Sequence, residues 1–546
     1  MSSESHSTSK AVRAESIAAA AQDRETLPSW KWNGSLAVVL LTCLIHGYDV
    51  SNVANIQPHL YEAFGDIKLL PWIALSYTLA VFAVLSLSRK IIYCFNLRWI
   101  YIVCIGIFLA GAAIGGSAHS MSTVIVGRIV MGIGGAMIYQ TNLTFVSVFA
   151  TPSKTQLLIG GLSVSWAVGL IVGGPIGAAL AENPDTTWRW AFYMNLPWMG
   201  LALVGAILCF PSIYLGPNVP LHRRILDMDP VGIAFNMACP VLFSLGLEFS
   251  GPVWAWGSGP SIAVWAIFGV VLAAWMAQQY FCIFTTAEQR AIPVHLMPRL
   301  DLVSLWLASG CAGVAYAITL YYVPLFFAFA RGYDALQQTV RTLPFILVFI
   351  GTVILIAGVL PIIGRYGIVY QLGGMAMLAG AGAMAASLSP TTSESHVMGF
   401  EALIGIGLGF TFQHGVGISN VINKSARDRV DSATLLLMAQ MGAIAISLSI
   451  AGSIFQNVGE SLLAEALGDR GVSQEDIRQA LAGVSSSVWG ALDSEALERA
   501  LGAVTHVLAL EFYLVVAAGA LCVVCGGMMG WKKLDYQRER KESTLV

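Results

Sequence analysis

Residues 123–147, TVIVGRIVMGIGGAMIYQTNLTFVS, decide the class of this protein. Apart from Arg128, the run holds only apolar residues and a few hydroxyl and amide side chains. About 20 such residues in a helix span the hydrocarbon core of a bilayer, about 30 Å thick. The pattern recurs: fourteen apolar segments can be read, from 37–57 to 507–530. Of the 546 residues, 56% are hydrophobic and 11% charged, against roughly 25% charged in a soluble domain. The mean hydropathy is +0.72. These values exclude a soluble domain and imply an all-α polytopic membrane protein, because a helix satisfies its own backbone in lipid.

The net charge of −2 comes from near-equal numbers of both signs, so its total points neither to nucleic acid nor to a polybasic surface. Placement says more. With an inside amino terminus, 21 Lys and Arg fall on the inner side and 6 on the outer, while Arg128 and Arg341 lie within spans. That bias predicts an even span number and two cytosolic termini. The polar, Ser- and Ala-rich stretch 1–36 lacks the layout of a signal peptide and reads as a disordered cytosolic tail. Residues 531–546 read as a basic cytosolic tail. All nine cysteines lie in or beside apolar runs, so no disulfide framework is legible, and Cys522 and Cys525 of CVVC read as buried packing.

One connection is long. Residues 458–506 hold eight acidic and three basic side chains, and SQEDIRQAL (473–481) and SEALERALG (494–502) each open on a Ser suited to cap a short amphipathic helix. Elsewhere, nothing suggests an enzyme. The dipeptide Gly-Lys required by a phosphate-binding loop is absent, as are HExxH, GxSxG and any His/Cys spacing suited to a metal. No ATP use, cofactor or metal is expected. The N-x-[ST] patterns at Asn33, Asn142 and Asn423 map to a tail, a span and an inner loop, so no glycosylation is expected either.

Several stretches resemble the major facilitator superfamily, and within it the fungal fourteen-span drug:proton antiporters. HGYDVSNVANIQPHL (46–60) is similar to the first-span motif, with Asp49 at its acidic position. GRIVMGIGGA (127–136) matches RxxxGxGG, and GLIVGGPIGAAL (169–180) looks like the antiporter motif of the fifth span. TTWRWAFYMNLP (186–197) carries the most specific signature, and ALQQTVRTLPFIL, GIGLGFTFQ and AGSIFQN extend the likeness into the second half. The resemblance implies two six-helix bundles, 37–210 and 303–530, joined through two additional spans in 211–302, with alternating access to a central site. Two departures stand out. SLSRKIIYCFNLRWIYI (86–102) keeps basic Arg89, Lys90 and Arg98 but lacks the family's gate Asp. In the fifth span Ala178 and Ala179 replace a Gly pair.

Ionisable side chains within a span are expensive unless they face a cavity or a partner, so each is a functional candidate. At about 100° per residue, Asp49 falls about 60° from His46 and about 80° from Gln57, on one side of the first span. Asp49 is the expected proton carrier, with His46 as a co-titrating partner. Arg128, Gly132, Gly135, Tyr139 and Asn142 share a stripe of the fourth span. Two roles are open to Arg128: lowering the pKa of a carboxylate such as Asp49, or holding an anionic substrate. Gly132 and Gly135, with Gly169, Gly173, Gly174, Pro175 and Gly177 of the antiporter motif, are expected at helix-packing positions. Gln57, Tyr139, Asn142, Tyr316, Gln413, His414 and Gln440 are the candidate cavity residues, and Glu248 and Glu401 are read as snorkelling from span ends.

The expectation is a monomeric exporter of a small organic molecule, a drug or secondary metabolite, working by proton antiport in the plasma membrane, or alternatively the vacuolar membrane. The alternatives are a proton-coupled importer, for instance of an iron chelate, and a membrane-embedded enzyme or sensor.

Overall fold

The computed structural model describes residues 28–530 and 533–534, except 66–68, 70–71, 150–151, 184, 215–227, 252, 287–288, 424–425, 469–471 and 484–485. Most of both tails, 1–27, 531–532 and 535–546, lies outside the described residues.

Each expected apolar segment forms one helix. The first six are α1 (Ser29–Phe64), α2 (Trp72–Cys94), α3 (Leu97–Gly116), α4 (Met121–Phe149), α5 (Pro152–Glu182) and α6 (Arg189–Cys209, interrupted at Met194). Two more follow, α7 (Pro230–Phe249) and α8 (Gly259–Phe281). The second half contains α9 (Leu300–Arg331), α10 (Ala335–Ile363), α11 (Tyr366–Ser387), α12 (Glu394–Ile422, broken after Thr411) and α13 (Ala426–Leu467). Two short helices, α14 (Gln474–Ala482) and α15 (Ser487–Ala491), precede the last, α16 (Ser494–Met528). Among the described residues thirteen helices are long and apolar enough to cross a bilayer. The remaining one, α2, is apolar only over Trp72–Leu85, because Ser86, Ser88, Arg89 and Lys90 follow.

In the first half α1 packs on α5 and α6, α3 on α4 and α6, and α2 on α4. The second half repeats the scheme: α9 packs on α13 and α16, α10 on α12, and α11 on α12 and α16. The halves meet where α2 lies on α13 and α5 on α10. The additional pair attaches through α7, which touches α2 and α13, while α8 leaves Val270 69% exposed on the lipid-facing side.

The α1–α5 seam explains the antiporter-motif glycines. A methyl group at Gly169 would lie 1.9 Å from the Leu44 carbonyl oxygen, and one at Gly177 would lie 1.8 Å from Asn52 Oδ1. From the α1 side, a methyl at Gly47 would come within 2.0 Å of the Trp166 carbonyl oxygen. The two backbones are in contact, which small residues alone permit. Gly173 is part of the same seam, facing Tyr48 and Ser51; Gly174 is buried; Pro175 lies within the helix.

Three sequence boundaries change. The first helix begins at Ser29 rather than 37, because Trp32 stacks on Phe145 of α4 at 5.5 Å; Asn33 is therefore helical. The long connection contracts to 468–493, since α13 runs on to bury Leu463 and Leu467. SEALERALG is not a separate helix but the first turns of α16, capped by Asp493 instead of Ser494. The other expected amphipathic helix is present as α14, with Ser473 and Asp476 forming a capping box.

Candidate functional site

The candidate site grows from a charge pair. Asp49 of α1 and Arg128 of α4, 79 residues apart, meet with Arg128 Nη1 donating to Asp49 Oδ2 at 2.6 Å. Both side chains are buried, so neither charge has water to compensate it. Arg128 is held further by its Nε, which donates to the Ile73 carbonyl at 3.2 Å, and by the Tyr77 ring 4.3 Å beneath its guanidinium. Gly132 and Gly135 let α2 come this close: a methyl at Gly132 would sit 2.7 Å from the Tyr77 carbonyl oxygen. Tyr77 in turn shares a 2.9 Å hydrogen bond with His46 Nδ1, and the His46 ring stacks on Tyr139.

The signature in α6 supports the same point. The break at Met194 leaves the Ala191 carbonyl to accept from Asn52 Nδ2 at 2.9 Å and Tyr48 Oη at 3.3 Å. Asn195, fully buried, reaches Asp49 Oδ1 at 3.5 Å. The motif read as most specific in sequence thus fixes α1 around its acidic residue.

Beside the pair lies a cavity between the two halves. His46, Tyr77, Arg128, Tyr139 and Trp166 line it from the first half. Tyr316, Tyr321, Phe412, Gln413 and Gln440 line it from the second. The wall is largely aromatic: Trp166 and Tyr316 pack at 5.9 Å, and Tyr316 and Phe412 at 5.3 Å. Arg128 is the charged side chain of this wall, and it is neutralised from behind by Asp49. The Tyr316 hydroxyl has no partner among the described residues. A second, smaller cavity shares Tyr139, Phe412, Gln413 and Gln440 and continues along Leu143 and Ser163 toward the termini face.

The other sequence candidates divide. Gln57 does not line the cavity; its Nε2 donates to the Tyr321 hydroxyl at 3.3 Å, joining α1 to α9 on the side away from the termini. Asn142 is drawn into a buried cluster, accepting from Tyr101 Oη at 2.7 Å and donating to Thr42 Oγ1 at 3.1 Å. His414 hydrogen-bonds the Gly409 carbonyl at 3.1 Å where α12 breaks, and Gln440 donates to the Phe412 carbonyl at 3.1 Å. Two readings need correction. Glu248 and Glu401 do not snorkel: they are 4% and 0% exposed, because each helix turns them against a neighbouring helix instead of toward the face.

Sequence reading also missed residues. Tyr77 and Trp166 carry no charge or motif to mark them, Asn195 was legible only as part of a signature, and fully buried Glu511 sits in a run read as purely apolar. In the stretch that lacks the gate Asp, Lys90 Nζ donates to the Gln289 carbonyl at 2.5 Å, and Arg98 Nη2 donates to the Ile207 carbonyl. Cys522 and Cys525 are buried free thiols.

Two helical halves around an aromatic cavity with a buried charge pair define a polytopic membrane transporter. The chain belongs to the major facilitator superfamily, whose profile matches residues 39–455. It is 31% identical over 529 residues to the efflux pump DEP3 of Alternaria brassicicola, covering 96% of this chain and 92% of that one. It is 30% identical over 524 residues to the efflux pump patC of Aspergillus clavatus, covering 95% and 94%. Among solved structures, the fold is similar to an inward-facing, unoccupied bacterial homologue of the human lysosomal transporter Spinster. The TM-score is 0.60 at 14% identity, covering 91% of this chain and 97% of that one. A D-xylose-proton symporter gives a TM-score of 0.57 at 12% identity, covering 93% and 98%.

Proposed function

We propose that this transporter exports a small organic molecule by proton antiport and alternating access, as a monomer in the plasma membrane with both termini cytosolic. The observation carrying the reading is that Arg128 faces two ways, toward Asp49 and into the cavity. With Asp49 ionised, the guanidinium is neutralised and the cavity wall suits an uncharged, aromatic-compatible molecule. Protonating Asp49 removes the counter-charge and loosens the tie between α1 and α4, so proton and substrate occupancy oppose each other through one side chain. The glycine-lined α1–α5 seam holds the first half together as a unit that moves against the second along the α2–α13 and α5–α10 contacts, and Gln57 with Tyr321 closes the cavity on the outer side. The relatives named as efflux pumps support the outward direction.

A proton moving down about 100 mV and about one pH unit supplies about 3.7 kcal/mol, enough for a several-hundred-fold gradient of a neutral substrate. The test is metabolite profiling of a deletion strain beside strains carrying wild type or Asp49→Asn. Deletion should raise the cellular level of a small organic compound and lower it in the medium. Asp49→Asn should fail to restore secretion while its purified protein still exchanges that compound across liposomes. Loss of uptake of an external compound, with secretion unchanged, would replace export by import.

A further inference from the structure

The halves meet along two seams, and the additional helix pair covers one of them. At the α2–α13 seam Leu75, Leu79 and Ala445 form a buried cluster, and a methyl at Gly442 would lie 2.7 Å from the Phe82 ring. From outside, α7 lies against both helices. Trp72 of α2 packs on Phe249 of α7 at 5.8 Å, and Ser449 Oγ of α13 donates to Ser244 Oγ of α7 at 2.8 Å.

The α5–α10 seam has no such cover among the described residues. Val164 of α5 and Ile354 of α10 are 38% and 52% exposed on its outer side, and a methyl at Gly351 would meet nothing within 4 Å. Between the two helices runs a crevice lined by Val164, Ala167, Ile350, Val353 and Ile354. Its deep end is formed by Trp166 and Gln413, which also line the central cavity. The hydroxyl in its wall, that of Ser163, is already engaged with the Ile159 carbonyl at 3.1 Å. These residues fall near the middle of α5 and of α10, so the mouth opens at the depth of the hydrocarbon core. A charged molecule is excluded from that depth, whereas an uncharged lipophilic one concentrates there.

We propose that the α5–α10 crevice is a lateral entrance through which an uncharged, lipophilic substrate passes from the bilayer to the central cavity, with Trp166 and Gln413 at the threshold. The additional pair seals the opposite seam, so entry is one-sided. The inference rests on the cavity being the substrate site, and it adds the class of substrate and its route.

Photolabelling of the full-length chain in lipid nanodiscs with trifluoromethyl-iodophenyl-diazirine, a small uncharged lipophile, reads the route without a gradient or a known substrate, the labelled peptides being mapped by mass spectrometry. Wild type should be labelled on exposed α8 and also on the buried cavity segment Tyr316–Leu320 of α9. Val164→Trp and Ile354→Trp each place a ring in the mouth at a position exposed to lipid, so the entrance remains testable if one of them does not fold. Each should remove most of the Tyr316–Leu320 labelling relative to α8. Absence of label on that segment in wild type, label unchanged by both variants, or label lost only in Leu143→Trp, on the path to the termini face, would overturn the proposal. So would equal labelling of the segment by a phosphatidylcholine carrying the diazirine on an acyl chain, because the crevice would then hold lipid. Secretion by the deletion strain is read separately, so loss of the entrance leaves export standing and loss of export leaves the entrance standing.

Discussion

The two halves handle buried charge differently. In the first, Asp49 and Arg128 satisfy each other at 2.6 Å, and Tyr77, His46 and Asn195 pack around the pair. In the second, Glu401 and Glu511 are fully buried and neither forms an ion pair among the described residues. The cavity wall follows the same division: the first half contributes the imidazole of His46 and the guanidinium of Arg128, the second the amides Gln413 and Gln440. Two glycine positions differ as well. A methyl at Gly169 would meet backbone at 1.9 Å, whereas one at Gly310 of α9 has its nearest neighbour, the Ala439 carbonyl oxygen, at 3.4 Å. The first half is therefore built around one tight buried ion pair, and the buried acids of the second have none among the described residues.

The largest effect should come from breaking the joint on one side only. Arg128→Met leaves an unpaired carboxylate and should destabilise the protein by about 3–5 kcal/mol, seen as early thermal aggregation in detergent. Adding Asp49→Asn to it should recover much of that loss, and failure to recover would show that Arg128 acts through packing instead of charge. The glycine contrast comes next. Gly169→Ala should cost about 1–3 kcal/mol by forcing two backbones apart, and Gly310→Ala should change the melting temperature little. Equal losses would remove the difference between the two positions.

A hydroxyl pair gives a smaller effect. Tyr77→Phe leaves His46 without its partner and should cost about 1 kcal/mol. Tyr316→Phe removes a hydroxyl that has no partner among the described residues and should be neutral in stability, so any change in which compounds are moved would report contact with substrate. Smallest of all, Arg478→Ala should cost about 0–1 kcal/mol, because the Arg478–Glu460 pair is partly exposed to solvent. Its hydrogen bonds to Glu460 raise the already high pKa of Arg478, so Arg478 should keep its charge throughout the pH range in which the protein is handled. A larger thermal shift in Arg478→Ala would mean that α14 holds the outer end of the second half together.

Much of this was legible in order along the chain. The apolar runs gave every membrane helix, and Asp49 and Arg128 stood out because charges in such runs are rare. Boundaries at 37, 458 and 506 were misplaced because helices continue beyond the bilayer wherever a neighbour covers them, as α4 covers Trp32. Cavity membership was only partly legible: Gln413 and His414 are adjacent, yet one lines the cavity and the other turns to the Gly409 carbonyl where α12 breaks. Glu511 was overlooked because one acid barely changes the hydropathy of a long apolar run.

The sequence by itself determined that this is a helical membrane protein, where its helices lie and which side chains are expensive to bury. Those follow from the free energy of moving each segment into lipid, a sum over neighbours in the chain. Only the tertiary structure decided that Asp49 would meet Arg128 while Glu511 would meet no cation, and that Tyr77, Trp166 and Phe412 would share one wall. Pairing depends on the rotation and depth of helices far apart in sequence, set jointly by glycine seams such as α1–α5, and no local pattern encodes it.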